Sequence, residues 1–280
     1  MRGYNKHVVI VGSARSGTSW LSELMALQHR YRMLFEPEHE FNTKKGKLIC
    51  DRYVIKGQAT PEIRNYLKRV FLNRVDSDWI AQLSNRTWKR HLWPFIPKKF
   101  IIKFVRCNLA AHYMANEFKI PVLFIIRNPY DVIASQQRVK FPWLYDLSWF
   151  KGQDDLCDII KTNYGYDLRE EKQVSDFETL CLRWCIENSV PFLNETRNVE
   201  LLKYEIVKDD MGVYLNLCEK YGLKPLSNLN EAFKQPSSKT HQYSDIITGK
   251  ATSRKLSSEE YSILNSYLDL FKIDLYEREY

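Results

Sequence analysis

No apolar run in this 280-residue chain approaches the length of about 18–20 residues that a membrane-spanning helix needs. A first strand beginning near His7 leaves no room for a signal peptide ahead of it. Together these lead us to expect a soluble, cytoplasmic protein with no integral membrane segment. Cysteine is sparse: the six thiols are too few for a disulfide scaffold at this length. Cys181 and Cys185 share one face of a helical pattern, but no second Cys or His pair completes a zinc site, so they read as core thiols. Internal repeats, low-complexity tracts and linkers are also lacking. The length then suits a single domain over residues 1–280 with a large core.

What is present is globular in composition. Hydrophobic residues make up 44% and charged residues 27%, which excludes a disordered chain. The formal charge is +8, which fits either an ordinary basic surface or an anionic ligand; charge alone does not choose. Residues 7–12 (HVVIVG) form a continuous β-branched run, as buried parallel strands do. Further strands are expected at 32–35, 100–105, 121–127 and 199–204, and helices at 18–29, 129–139, 175–195 and 257–271. Residues 61–92 read as mostly helical, 37–60 as a polar excursion over the surface, 141–170 as irregular and 226–256 as loop. Ser175 with Glu178 and Ser257 with Glu260 have capping-box spacing, and Pro129 sits at a favoured first helical position. Strands alternating with helices predict a three-layer α/β/α fold around a parallel sheet of about five strands, of the P-loop NTPase type.

The first strand runs into "GSARSGTSWL", with Gly12 and Gly17 spaced as in the phosphate loop G-x-x-x-x-G-K-[ST]. Such a loop turns backbone N–H groups toward one anion, and the helix behind it adds its positive end. A triphosphatase places lysine next, followed by a Mg²⁺-binding hydroxyl. Here those positions hold Thr18 and Ser19, and the cation has moved inside the loop to Arg15, whose fork can grip an oxyanion.

This stretch resembles the 5′-phosphosulfate loop of the sulfotransferases, in the Arg-Ser-Gly form of carbohydrate sulfotransferases. These enzymes move a sulfuryl group from 3′-phosphoadenosine-5′-phosphosulfate (PAPS), leaving 3′,5′-ADP (PAP). The resemblance implies that Arg15, Ser16, Gly17, Thr18 and Ser19 cradle the phosphosulfate and that Trp20 packs near the adenine; by residue type alone, Trp20 equally suits the core. A second match is "LFIIRNPYDVIAS", similar to the family's 3′-phosphate element. It implies that Arg127, at a strand's carboxyl end, and Ser135, two helical turns on, face the same phosphate. A weaker match, "LLKYEIVKD", places Tyr204 near the adenine, with Glu205 as a helix-capping acid. Lys250, Arg254 and Lys255 fall where members of the family carry a basic loop, and are either donor contacts or a solvated loop. These motifs cover about a quarter of the chain, and the parts between match nothing closely.

Sulfuryl transfer needs the charge on the transferring group and on the leaving phosphate stabilised, catalytic roles that Arg15 fits, and it needs a proton acceptor, for which "MLFEPEHEF" supplies candidates. Glu36 falls after the second strand, at the same sheet end as the loop, and Pro37 is expected to hold it extended. In the resembled family an acid before proline at this place serves as the base, so Glu36 is the first choice and His39 the second. The bland alternative is an acidic surface loop balancing Lys44, Lys45 and Lys47. No histidine occupies the place after the third strand where cytosolic members carry one, and His112 reads as structural. Lys103 or Arg106 could reach the donor, with one of them expected to point that way. The expected partner is a carbohydrate or other hydroxyl-bearing acceptor. The aromatic stretch 141–150 lines its groove or else serves as core. The alternatives weighed are a P-loop nucleotide kinase, for which the lysine is missing and no strand-end Asp appears, and a nucleic-acid binder, for which no reader module is recognisable. No metal is required by this reading.

Overall fold

The structure, a computed structural model, describes residues 4–28, 31–55, 57–75, 77–82, 99–170, 174–193, 198–224, 228–240 and 256–280. Five strands form one sheet: β1 (Val8–Val11), β2 (Tyr31–Phe35), β3 (Lys99–Lys103), β4 (Val122–Ile126) and β5 (Val199–Lys203). Their order is β2-β3-β1-β4-β5 and every pairing is parallel. Because side chains alternate along a strand, each strand supplies both faces of the sheet. Val8 and Ile10 turn toward α1 (Thr18–Ala26), together with Ile101, Leu123 and Ile125. Val9 and Val11 join Ile102 and Phe124 on the opposite face. That face is covered by α2 (Pro61–Phe71), whose Ile63, Tyr66, Leu67 and Val70 recur at helical spacing; α3 (Asp78–Ala81) is a single turn. α4 (Ala111–Phe118) covers the same face. The three-layer α/β/α arrangement expected from the sequence is therefore present.

A further helical cluster packs beside the sheet. It is built from α5 (Pro129–Val139), α6 (Ser148–Lys151), α7 (Asp154–Tyr164) and α8 (Asp176–Ser189). After β5 the chain forms α9 (Tyr204–Asp209), α10 (Met211–Lys220) and α11 (Leu229–Lys234), and α12 (Ser258–Leu270) closes the helical cluster. Both expected capping boxes are formed, at Ser175 with Glu178 and at Ser257 with Glu260. Pro129 opens α5 with the Asn128 side chain as its cap.

Three sequence expectations are corrected. Residues 141–170 are largely helical, because Leu144, Phe150, Leu156 and Ile160 are fully buried. At roughly 1.5–3 kcal/mol for each large apolar side chain, that burial outweighs weak local periodicity. Residues 37–60 are not a surface excursion: Glu38, Ile49, Cys50 and Asp51 are buried there. Within 226–256, α11 is helical, held by Leu229 and Phe233 against the first face.

The chain leaves β1 toward β2 and leaves β4 toward β5, so the loops diverge at the carboxyl ends of β1 and β4. Open α/β sheets bind ligands in the crevice at such a switch point. Both motifs singled out in the sequence, 12–19 and 127–135, leave the sheet there. All six cysteines are free and buried, in keeping with core thiols. No helix among the described residues is long and apolar enough to cross a membrane.

Candidate active site

The loop after β1 requires its two glycines for different reasons. A Cβ on Gly12 would stand 2.4 Å from the Ile125 carbonyl oxygen on β4. Gly17 has φ +90°, and its Cβ would stand 2.3 Å from the Tyr204 ring. Arg15 also takes a left-handed backbone, φ 74°, which a non-glycine residue adopts only when its surroundings hold it there. Those surroundings are visible. Gln136 on α5 donates to the Ala14 carbonyl at 3.0 Å, and Asn188 on α8 donates to Ser13 Oγ at 2.8 Å. No side chain caps α1 at Gly17, so the N–H groups of its first turn are open to an anion.

The structure brings Arg15, Arg127 and Ser135 together. Arg15 Nε donates to Ser135 Oγ at 2.9 Å, and Arg127 Nη1 approaches the Arg15 carbonyl at 3.4 Å. Arg127 lies over the Tyr204 ring at 5.0 Å and reaches Asp131 at 3.1 Å. Burial, then the charges of Arg127 and Arg138, push the Arg15 pKa down from its ordinary value. A cluster of cations in part-buried surroundings disfavours its own charged state and is relieved by an anion. These residues line a cavity of about 290 Å³ with Trp20, Lys208 and Lys234. Trp20 Nε1 and Arg127 Nε, on two lining residues, are buried without a hydrogen-bond partner among the described residues, as is Ser16 Oγ in the loop. Unsatisfied buried donors beside clustered guanidinium groups fit an anionic nucleotide carrying two separate phosphate groups.

Trp20 is both a packing residue and a cavity-lining one. It packs edge-on against Tyr204 and Phe233 in the core, and it lines the cavity with Lys208 Nζ 4.5 Å from its ring centre. Glu205 ties elements together: it accepts from the Asn128 N–H at 2.8 Å and from the Tyr276 hydroxyl at 3.0 Å. Sequence reasoning missed Arg138, Lys208 and Lys234. Arg138 lies three residues after Ser135 on α5, a spacing that could have revealed it. Lys208 lies on α9 within the LLKYEIVKD stretch, which marked Tyr204 but not the lysine, and Lys234 is carried in by α11 with no local signal.

A second cavity of about 450 Å³ opens on the other side of the loop. Glu36 lines it, but not in the extended conformation expected before Pro37: its φ is 41°. Tertiary contacts hold that shape. Lys103 Nζ pairs with Glu36 Oε1 at 2.5 Å, the Glu36 N–H donates to the Lys103 carbonyl at 3.0 Å, and Trp79 Nε1 donates to the Glu36 carbonyl at 3.2 Å. Glu38 turns inward and accepts from the N–H groups of Val105 and Arg106 at 2.6 and 3.1 Å. Burial, with Glu36 nearby, holds its pKa above the ordinary carboxylate range. Glu40 pairs with Arg106 at 2.5 Å. These acids are matched to Lys103 and Arg106, not to Lys44, Lys45 and Lys47 as a plain surface loop would have them.

His39 lines the same cavity, with its ring 4.5 Å from that of Trp79. Lys103 points to Glu36. Arg106 lines the same cavity, paired with Glu40, and also enters a buried network with Asp51 that continues through Arg183 to Glu187. Burial opposes the charge on Arg106, but Asp51 more than compensates and raises its pKa. His112 is half-buried, neither ring nitrogen has a hydrogen-bond partner among the described residues, and burial pushes its pKa down to about 4. Phe41, Trp79, Phe141 and Trp143 give the cavity aromatic walls. Arg15, Thr18, Ser19 and Lys239 line both cavities, so the two meet at the phosphate loop. Lys250, Arg254 and Lys255 lie outside the described residues.

No protein-family model matches the chain, and no curated protein matches it significantly. Among solved structures, the chain is similar to a sulfotransferase from Alicyclobacillus acidocaldarius, at 15% identity over 97% of this chain and 95% of that one, with a TM-score of 0.44. Mouse sulfotransferase SULT7A1 complexed with PAP matches at 12% identity over 96% and 84%, with a TM-score of 0.43. A retinol dehydratase in complex with androsterone and inactive cofactor PAP matches at 16% identity over 96% and 81%, with a TM-score of 0.40.

Proposed function

We propose that this chain is a PAPS-dependent sulfotransferase acting on a hydroxyl group, in one domain over residues 1–280. The observation that carries the reading is the juxtaposition of the phosphate loop with the Arg127–Ser135 element through Arg15. A triphosphate occupies one run of phosphate groups, whereas a 3′,5′-bisphosphorylated nucleotide needs two anion sites, one on each side of the ribose. When bound, the donor supplies an electrophilic sulfur and a phosphate leaving group. In this reading, Ser16 to Ser19 and the first turn of α1 hold the 5′-phosphosulfate, while Arg127 and Ser135 hold the 3′-phosphate. Trp20 and Tyr204 flank the adenine. Arg15 spans the two sites.

Glu36 takes the proton of the acceptor hydroxyl as the new oxygen–sulfur bond forms. The bond from sulfur to the bridging phosphate oxygen breaks, and its electron pair leaves on that oxygen. Lys103, through its ion pair, keeps the Glu36 carboxylate aimed into the acceptor cavity. Most of the rate then comes from positioning and from fixed positive charge, as in phosphoryl transfer. The acceptor in this reading is a carbohydrate: aromatic walls suit the faces of sugar rings, and the acids of 36–40 suit its hydroxyl groups.

The test is thermal stabilisation of the purified chain by 3′,5′-ADP and by Mg-ATP, since a ligand that binds only the native state must raise its stability. Stabilisation by 3′,5′-ADP alone is expected. Stabilisation by Mg-ATP and none by 3′,5′-ADP would replace this reading with the nucleotide-kinase alternative.

A further inference from the structure

We infer that Lys239 provides, from a distant part of the chain, the ammonium group that the phosphate loop lacks at Thr18, and that it binds the sulfuryl group in transfer. The inference rests on the sulfotransferase reading and concerns which residues meet the reacting sulfur. A group passing from donor to acceptor must cross the junction of the two cavities. Four residues line both cavities, and of these Arg15 and Lys239 carry charge. The Arg15 Nε is turned toward Ser135, on the side of the second anion site. Lys239 is therefore the cation placed to serve the junction itself.

Its position is fixed by the helix that begins at the loop. The Glu23 carboxylate on α1 accepts from Ser237 Oγ at 2.8 Å, from Ser238 Oγ at 2.9 Å and from the Ser238 N–H at 2.8 Å. This three-point hold docks the segment carrying Lys239 about one helical turn beyond Thr18 and Ser19. The Lys239 Nζ donates to Gln82 Oε1 at 2.7 Å and lies 5.4 Å from the ring centre of Phe35, the neighbour of Glu36. No carboxylate pairs with it among the described residues. Its charge is thus balanced by a neutral amide and an aromatic face, partners that a sulfuryl oxygen can displace. Lys239 donates a hydrogen bond to the sulfuryl group and takes no part in the proton transfer to Glu36.

Two nucleotides separate this role from simple phosphate binding, because PAPS carries the sulfuryl group and 3′,5′-ADP does not. Calorimetry with Lys239→Met is expected to show PAPS binding weakened by about tenfold, the size of one charge-assisted hydrogen bond. Binding of 3′,5′-ADP should stay at the wild-type level. In turnover, kcat should fall about 100-fold, as on removal of one oxyanion donor, with partial rescue by Lys239→Arg. Equal weakening of both nucleotides would reassign Lys239 to the 5′-phosphate and overturn the inference, as would unchanged affinity for both. Failure of the wild-type chain to bind 3′,5′-ADP would instead sink the sulfotransferase reading, and this inference with it.

Discussion

Replacing Arg127 by methionine should separate ligand recognition from stability. In the free protein Arg127 makes one long hydrogen bond to the Arg15 carbonyl, at 3.4 Å, and one ion pair with the half-exposed Asp131. A pair of that kind contributes about 0–1 kcal/mol. Methionine keeps an apolar surface over the Tyr204 ring, which Arg127 now covers at 5.0 Å. It also removes one of the two charges that disfavour ionised Arg15. The net change in folding stability should therefore stay within about 1 kcal/mol. The effect on ligand binding is larger. Removing a guanidinium–phosphate hydrogen bond from a part-buried site costs about 2–3 kcal/mol, or about 30- to 150-fold in Kd. The assay is calorimetry with two nucleotides, 3′,5′-ADP and AMP, which differ only in the 3′-phosphate. Wild-type protein should prefer 3′,5′-ADP, and Arg127→Met should erase most of that preference while AMP affinity is retained. A parallel weakening for both ligands, or an undiminished preference, would refute the assignment of Arg127 to the 3′-phosphate.

Glu36→Gln keeps the size of the side chain and a hydrogen-bond acceptor for Lys103, yet cannot take a proton. Turnover should fall by about 10²–10⁴-fold with PAPS affinity unchanged, and His39→Ala should leave turnover near wild type. The reverse pattern in steady-state kinetics would move the base to His39. Stability should also depend on His7. Its Nδ1 accepts the Phe100 N–H at 3.1 Å, and burial, with Lys6 adding, pushes its pKa down to about 4. Because the folded value is depressed, the unfolded chain takes up the proton first as pH falls. The stability is present above about pH 6.5 and is lost toward pH 4, by about 3 kcal/mol in all. Urea titrations across that window should show the decline. His7→Asn, whose side-chain oxygen can accept the same bond, should flatten it; an identical pH slope in that variant would clear His7 of the role.

The features legible in the sequence were the local ones. Continuous β-branched runs marked the strands, and capping residues marked α5, α8 and α12 to within a few residues, because caps act within one turn. Chain segments whose shape depends on distant partners were misread. Residues 37–60 look polar and solvated in sequence, yet Asp51 is buried because Arg106 and Arg183 arrive to pair with it. Pro37 argues for an extended Glu36, but its bonds to Lys103 and Trp79 hold φ at 41°. Gly17 stood out as a loop glycine. That it makes room for Tyr204, nearly two hundred residues away, appears only once β5 has taken its place in the sheet.

The sequence by itself determined the layered α/β plan and the two segments, 12–19 and 127–135, that meet at the carboxyl ends of β1 and β4, since strand runs, helix caps and a glycine-spaced loop are written in consecutive residues. Only the tertiary structure decided which cations face the cavities. Lys103 turned to Glu36, while Arg106 turned to Glu40 and Asp51, although they are three residues apart. Lys234 and Lys239 entered the site from segments with no motif of their own. The physical reason is that a charged side chain follows the potential and the space around it. Both are set by the parallel sheet, which brings the carboxyl ends of β1 and β4 together.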